Sequence, residues 1–415
     1  MFRDRVSFWS LLVLVMNTII LGGGFSGLAA GIATDGTVYE ASEHPGGLGH
    51  EYEVDGYRFS VGGGHWCFGG DPLVTAFIKS LCDIKRYKRK SSVYFPDKDV
   101  FIPYPIQAHL KEFSKLELAA ELAEMDMNDP GNHERVKGNT MRDDLLRQFG
   151  DTLCELFFFP FNELYTAGLY DKVAPQDRYK SPVKGQGYNE TFIYPTEGLG
   201  VLARRMAARC NIRFGKRAKW IDVNEKMVHF EDDTCQGYDR LISTLPLSRM
   251  MEMALPVLRP DPHVSVLVLN IGAVRGPKCP DDHWVYVPRS KSGFHRVGFY
   301  SNVDSGFAPE GKVGVYVERA FVGGERPRPD GTRYATDVLK ELDDWGWIKG
   351  RGGLVDLTWV DVAYTYRWPG STWREDSLKL LKKHDIHSIG RYGNWKFCGI
   401  VQSMREGFEA CSQLG

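Results

Sequence analysis

From Asn17 to Glu40 the chain changes texture three times. An apolar run, Thr18-Ile19-Ile20-Leu21, meets three glycines. FSGLAAGIAT follows with small and apolar residues at helical spacing, and then Thr37-Val38-Tyr39. This order predicts a buried strand, a tight turn, a helix and a second strand ending at an acid. Further on, Asp71 to Lys90 reads as a helix ending in a basic turn, and SSVYFPDKDVFIPYPIQAHL carries β-type residues broken by Pro and Asp. Leu110 to Thr166 has helical spacing, in LKEFSKLELAAELAEM and MRDDLLRQFGDTLCELFF, and predicts a mostly helical cap. GLGVLARRMAARC predicts a helix, IRFGKRAKWIDVNEKMVHFEDD a hairpin, and RLISTLP a strand returning to the first sheet. His263 to Glu318 is strand-rich, a helix is expected over roughly Thr332 to Trp345, and HDIHSIGRYGNWKF with IVQSMREGFEACSQL ends the chain as a strand, a glycine-broken loop and a helix.

The chemistry of the first motif follows from its glycines. Gly22, Gly24 and Gly27 stand at G-x-G-x-x-G spacing: the first for the tight turn, the second so that backbone approaches a pyrophosphate, the third for close strand–helix packing. The N–H groups of Phe25 and Ser26 open the helix toward phosphate, and Glu40 is placed to accept hydrogen bonds from an adenosine ribose. A plain NAD domain would continue into another crossover, whereas this chain gives Pro45-Gly46-Gly47-Leu48. Paired glycines directly after the ribose acid are the habit of FAD proteins of the glutathione-reductase type, where bare backbone passes the diphosphate. Leu48 stands where the amine oxidase branch usually has Arg, and counts against that branch.

Length and charge bound the rest. At 415 residues two or more lobes are expected, and a net charge of −1 gives no basic field for nucleic acid or anionic membrane. Eight cysteines without C-x-x-C or metal-like spacing read as reduced thiols of a cytoplasmic protein with no metal. Val6 to Thr34 is free of charge and follows Arg3 and Arg5, which mimics an anchor. Its second half is the nucleotide cradle, so residues 1–15 are expected to be an upstream extension of a protein with no membrane partner. The fold class expected is α/β: a discontinuous Rossmann-like FAD domain of the glutathione-reductase type with a helical cap and a β-sheet substrate domain. The divisions expected are 16–75, 191–260 and 351–415 for the FAD domain, 76–190 for the cap and 261–350 for the sheet.

Four separated motifs carry a resemblance. FSVGGGHWCF (Phe59 to Phe68), PYPIQ (Pro103 to Gln107), HWVYVPRSKSGFHRVGFYSN with Trp284, Tyr286 and Arg296, and GRYGNWK (Gly390 to Lys396) occur in the order and spacing of flavin-dependent UDP-galactopyranose mutases. The chain resembles the eukaryotic type over nearly the whole of that fold. The resemblance implies that reduced FAD, with NAD(P)H as a possible reductant, attacks the anomeric carbon of a nucleoside-diphosphate sugar through N5. The sugar is then held as a flavin adduct while its ring opens and recloses, which converts pyranose to furanose.

The resemblance also implies residue roles. Arg296 would bind the diphosphate with a planar fork, Lys172 would supply a second cation, and Tyr366 a hydroxyl. Gly63, Gly64 and His65 would lie beside the isoalloxazine, Gly390 and Arg391 against the cofactor, and Gln402 and Ser403 would present helix-terminal amides to it. Tyr104, Gln107, Asn162, Trp284 and Tyr286 would line the nucleotide and sugar sites. Core packing of the aromatics, a surface Arg296, a solvated Tyr366 hydroxyl and a His65 satisfied by a carbonyl stay open beside these. Phe397, where the family has tyrosine, and Thr166, where it commonly has tryptophan, depart from the pattern. A flavin oxidoreductase of the protoporphyrinogen-oxidase or amine-oxidase type, and a flavin or nucleotide-sugar binding module without activity, are the competing readings.

Overall fold

The computed structural model describes residues 16–117, 120–175, 190–324 and 331–411, so the expected 1–15 extension lies outside the described residues. A five-stranded parallel sheet has the spatial order Asn211–Arg213, Thr37–Tyr39, Thr18–Leu21, Arg240–Ser243, Ile386–Ser388. Thr18–Leu21 is buried along its whole length because it has neighbours on both sides and helix Phe25–Thr34 on one face. That run of apolar residues without alternation is the mark of a strand buried on both faces. The final helix, Ile400–Glu409, packs on the first so closely that a Cβ at Gly407 would lie 2.3 Å from the carbonyl oxygen of Ser26.

A seven-stranded mixed sheet forms the second layer, in the order Ile348–Thr365, His263–Arg275, Lys312–Val322, Arg296–Phe299, Trp284–Tyr286, Ser91–Phe95, Val100–Pro103. One face packs on helix Gly331–Asp344 through Val313, Val315, Val317, Val338 and Leu342. The other face turns toward the loop after strand Tyr57–Ser60. This sheet takes strands from well outside the 261–350 stretch: hairpin 91–103 falls within the expected cap, and a boundary at 351 would cut strand Ile348–Thr365 near its start. Local pattern identified the 91–103 strands but not Ile348–Thr365, and only long-range pairing assigns a strand to a sheet.

Helical structure between Leu110 and Asp171 matches the expected cap, and its longest helix, Met141–Leu153, begins at a capping box of Thr140 and Asp143. The expected basic turn before Lys90 is instead strand Ile84–Lys88, antiparallel to Thr191–Pro195. Ile84 and Tyr87 face the core, with the Tyr87 ring stacked on Phe192 at 5.3 Å, while Lys85, Arg86 and Lys88 remain exposed. The basic residues stay exposed on a strand whose partner is distant in sequence.

Candidate functional site

The glycine cradle is built as its spacing requires. Gly22 has φ +100°, and a Cβ there would lie 2.2 Å from Oγ1 of Thr244. At Gly27 a Cβ would lie 1.9 Å from the carbonyl oxygen of Gly22, so any side chain would push helix from strand. Gly24 differs: a Cβ there meets nothing within 4 Å. The segment with Gly46 and Gly47 runs alongside, bridged to Gly24 and donating from Gly46 N to Gly23 O at 2.8 Å. Glu40 Oε2 accepts from Gly23 N at 2.5 Å and its Oε1 from Ser42 N at 2.8 Å, so this carboxylate also holds the glycine turn in place. Ser26 Oγ is buried with no hydrogen-bond partner among the described residues, beside Gly390, whose φ is +76°. The open space above Gly24, the exposed Gly47 and the orphaned hydroxyl fit a dinucleotide whose pyrophosphate lies at the helix start.

At the far end of the cradle, Gly63 and Gly64 run across the open face of the seven-stranded sheet. A Cβ at Gly63 would lie 3.0 Å from Oε1 of Glu318, and one at Gly64 would lie 2.2 Å from the Tyr316 hydroxyl. His65 Nδ1 lies 3.2 Å from the Gly63 carbonyl oxygen, which is the satisfied-histidine geometry, on the loop that faces the sheet. Loss of water pushes the His65 pKa down to about 4, and Arg391 and Arg296 add to this. Because this value lies below the ordinary 6.5, its contribution to stability is complete above pH 6.5 and is lost as pH falls toward 4. Replacing His65 with Asn should therefore flatten the fall in melting temperature across that window, as calorimetry at stepped pH would measure.

Two rows of side chains cross the sheet below this loop. One row is Tyr286, Arg296 and Glu318, and the other is Trp284, Gly298, Tyr316 and Asn270. Gly298 leaves room for the Tyr316 ring, which would stand 1.9 Å from a Cβ there. Arg296 donates from a terminal nitrogen to Oε1 of Glu318, and its guanidinium lies 5.7 Å from the Tyr316 ring centroid. Oε2 of Glu318 accepts from the Tyr364 hydroxyl at 3.3 Å and lies 3.4 Å from Nε2 of His295. Burial pushes the Glu318 pKa up, but the charge of Arg296, together with His295, holds it well below the usual carboxylate range. Arg296 is thus a partly buried cation with a carboxylate partner, not a surface arginine. Neither Glu318 nor His295 was singled out from sequence. The available signal was Gly314, Tyr316 and Glu318 alternating with Val313, Val315 and Val317, which puts an acid on an inward face.

The remaining candidates divide. Tyr104 meets the Tyr286 ring at 4.7 Å, and Tyr286 meets Phe161 at 5.3 Å edge-on, so these tyrosines form one aromatic wall beside Arg296. Gln107 is buried in the turn Ile106–Ala108. Trp284 is buried edge-on to Phe68 at 6.2 Å, the core-packing arrangement. Asn162 donates to the Phe158 carbonyl at 2.7 Å, and Thr166, wholly buried, donates to the Asn162 carbonyl at 2.7 Å; both serve the end of helix Phe159–Tyr165. Tyr366 is buried rather than solvated, and among the described residues its hydroxyl has no hydrogen-bond partner. Lys172 is exposed, just after the turn Leu169–Asp171. Arg391 donates to the Ala363 carbonyl at 3.0 Å and stands 4.4 Å over the Phe397 ring. The Ser403 amide donates to Gly399 O at 2.9 Å and its hydroxyl lies 3.2 Å from Cys398 Sγ, so that amide is already used within its own helix. No helix among the described residues is long and apolar enough to cross a membrane.

Comparison with known proteins agrees with this geometry. The chain is similar to reduced UDP-galactopyranose mutase, with a TM-score of 0.81 at 21% identity over 96% of this chain and 95% of that one. A protein named as a candidate protoporphyrinogen oxidase from Exiguobacterium sp. 255-15 gives 0.74 at 15% identity over 96% and 98%. Putrescine oxidase bound to putrescine gives 0.61 at 17% over 96% and 98%. At these identities the likeness is one of fold. The model of flavin-containing amine oxidoreductases matches residues 26–376, which overrides the inference drawn from Leu48. That residue packs partly buried with its carbonyl taken by Gly62 N at 3.1 Å, a role leucine fills without the usual arginine. A nucleotide cradle, a glycine loop laid over a mixed sheet and a family match across most of its length together place this chain in the flavin-containing amine oxidoreductase family.

Proposed function

We infer that the protein is a flavin-dependent nucleotide-sugar mutase that interconverts the pyranose and furanose forms of a UDP-sugar. The observation that carries this reading is Arg296 beside Tyr286 and Tyr104, on the sheet face covered by the Gly63-Gly64-His65 loop. An oxidase for apolar or amine substrates has no evident use for a guanidinium there. Bound FAD, reduced by NAD(P)H, would supply the nucleophile for the anomeric carbon. Gly22, Gly24, Gly27, Gly46 and Gly47 would hold its diphosphate, and Gly390 and Arg391 its remaining length.

The chain's own residues would do the rest. The free edge of Arg296 meets the substrate diphosphate and binds it more strongly as negative charge grows on the leaving group. Tyr366 has an unused hydroxyl to add a second hydrogen bond. Tyr104 and Tyr286 offer ring faces and edges to the base. Neutral His65 adds no charge beside the flavin. The protein would act in the cytoplasm.

One observation favours a second reading, a flavin oxidoreductase: Glu318 already balances the charge of Arg296. One experiment separates the two. Dithionite-reduced protein kept without oxygen is given UDP-galactopyranose and related UDP-, TDP- and GDP-sugars, and the products are resolved by chromatography. Ring interconversion without net electron transfer, and none with oxidised protein, is the expected outcome. Oxygen consumed in step with substrate, and no isomer formed, would establish the oxidoreductase reading instead.

A further inference from the structure

Glu318 is shared. Its Oε1 holds Arg296, while its Oε2 is faced by the Tyr364 hydroxyl at 3.3 Å and His295 Nε2 at 3.4 Å. His295 is 1% exposed and is fixed from several sides. Its backbone N donates to Glu318 O at 3.0 Å, and its ring stands edge-on to Tyr165 at 5.2 Å and Phe161 at 6.1 Å. The imidazole therefore stands between the aromatic side of helix Phe159–Tyr165 and the carboxylate.

Resting on the mutase reading, we propose that His295 is a positioning residue that keeps Arg296 available to the substrate diphosphate by occupying the second oxygen of Glu318. A carboxylate with both oxygens free takes a guanidinium bidentately, using two parallel N–H donors. With Oε2 faced by His295 and Tyr364, Glu318 accepts from Arg296 through Oε1, which leaves the other guanidinium donors without a carboxylate oxygen. Tyr364 shares that oxygen at 3.3 Å, and loss of His295 leaves this hydroxyl as one neutral donor against the full charge of Arg296. Without His295, the carboxylate turns and takes the guanidinium with both oxygens, withdrawing it from the substrate. His295 touches neither substrate nor cofactor in this scheme and acts through Glu318.

The test uses flavin-loaded full-length protein and UDP as the probe, with calorimetry for affinity and steady-state rates for KM and kcat. His295→Phe keeps the ring packing and removes the donor. It is expected to weaken UDP and raise KM by roughly tenfold, the scale of one charge-assisted hydrogen bond, with flavin content unchanged. His295→Gln, which keeps a donor, should restore most of the affinity. In the Glu318→Gln background, where no carboxylate can capture Arg296, adding His295→Phe should change UDP affinity by less than twofold. A loss that persists undiminished in that background would overturn the proposal in favour of a packing role. Wild-type affinity in His295→Phe would overturn it while leaving the mutase reading intact. Failure of the wild-type protein to bind UDP would overturn both.

Discussion

Gly24→Val should yield a folded, colourless protein. A Cβ at Gly24 meets no neighbouring atom within 4 Å, so the substitution should cost the fold little, yet the side chain fills the space through which a pyrophosphate must approach the helix start. Gly27→Val is the contrasting control: its Cβ would lie 1.9 Å from a backbone oxygen, so strand and helix would have to separate and the protein should fail to fold. Far-ultraviolet dichroism together with flavin absorbance reads both outcomes. Retention of full flavin by Gly24→Val would place the diphosphate elsewhere and undo the cradle assignment.

Arg296→Ala should lose turnover of a nucleotide sugar by roughly 10²–10³, as when one donor to a developing charge is removed. The exposed Lys172 should matter much less when changed to Ala. The same Arg296 change should also cost about 3–5 kcal/mol of stability, because Glu318, 2% exposed, is left as an uncompensated buried charge. The pH dependence then changes sign. In the wild type the Glu318 pKa is depressed, so its contribution is present above the ordinary carboxylate value and is lost as pH falls. Without Arg296, burial dominates and raises that pKa, so melting temperature should decline as pH rises above the ordinary carboxylate value. Arg296→Ala combined with Glu318→Gln should recover much of the stability and none of the activity. Full turnover by Arg296→Ala would remove the diphosphate role from this residue.

The cradle was legible in the chain because its determinants are local. Gly22, Gly24, Gly27 and Glu40 lie within one strand–turn–helix–strand unit, where each glycine answers a steric demand a few residues away. Strands such as Arg240–Ser243 and His263–Arg275 were readable for the same reason: continuous apolar or β-branched runs have few alternatives. Local pattern also misled. The basic run before Lys90 looked like a turn because its partner strand lies about a hundred residues away at Thr191–Pro195.

What the sequence determined by itself was the nucleotide cradle and strands such as Arg240–Ser243 and His263–Arg275, since burial and turn geometry are written in short-range residue order. Tertiary structure alone decided the chemistry of the other face. Strand register sets Arg296 between Tyr286 and Glu318, and Gly298 clears room for Tyr316. It also spends Asn162 and Thr166 on a helix end and leaves Tyr366 buried with an unused hydroxyl. The reason is physical: a charge's partner, and hence its pKa and its freedom to meet a ligand, depends on which strands lie side by side, and pairing across the sheet joins residues whose separation in the chain carries no local signal.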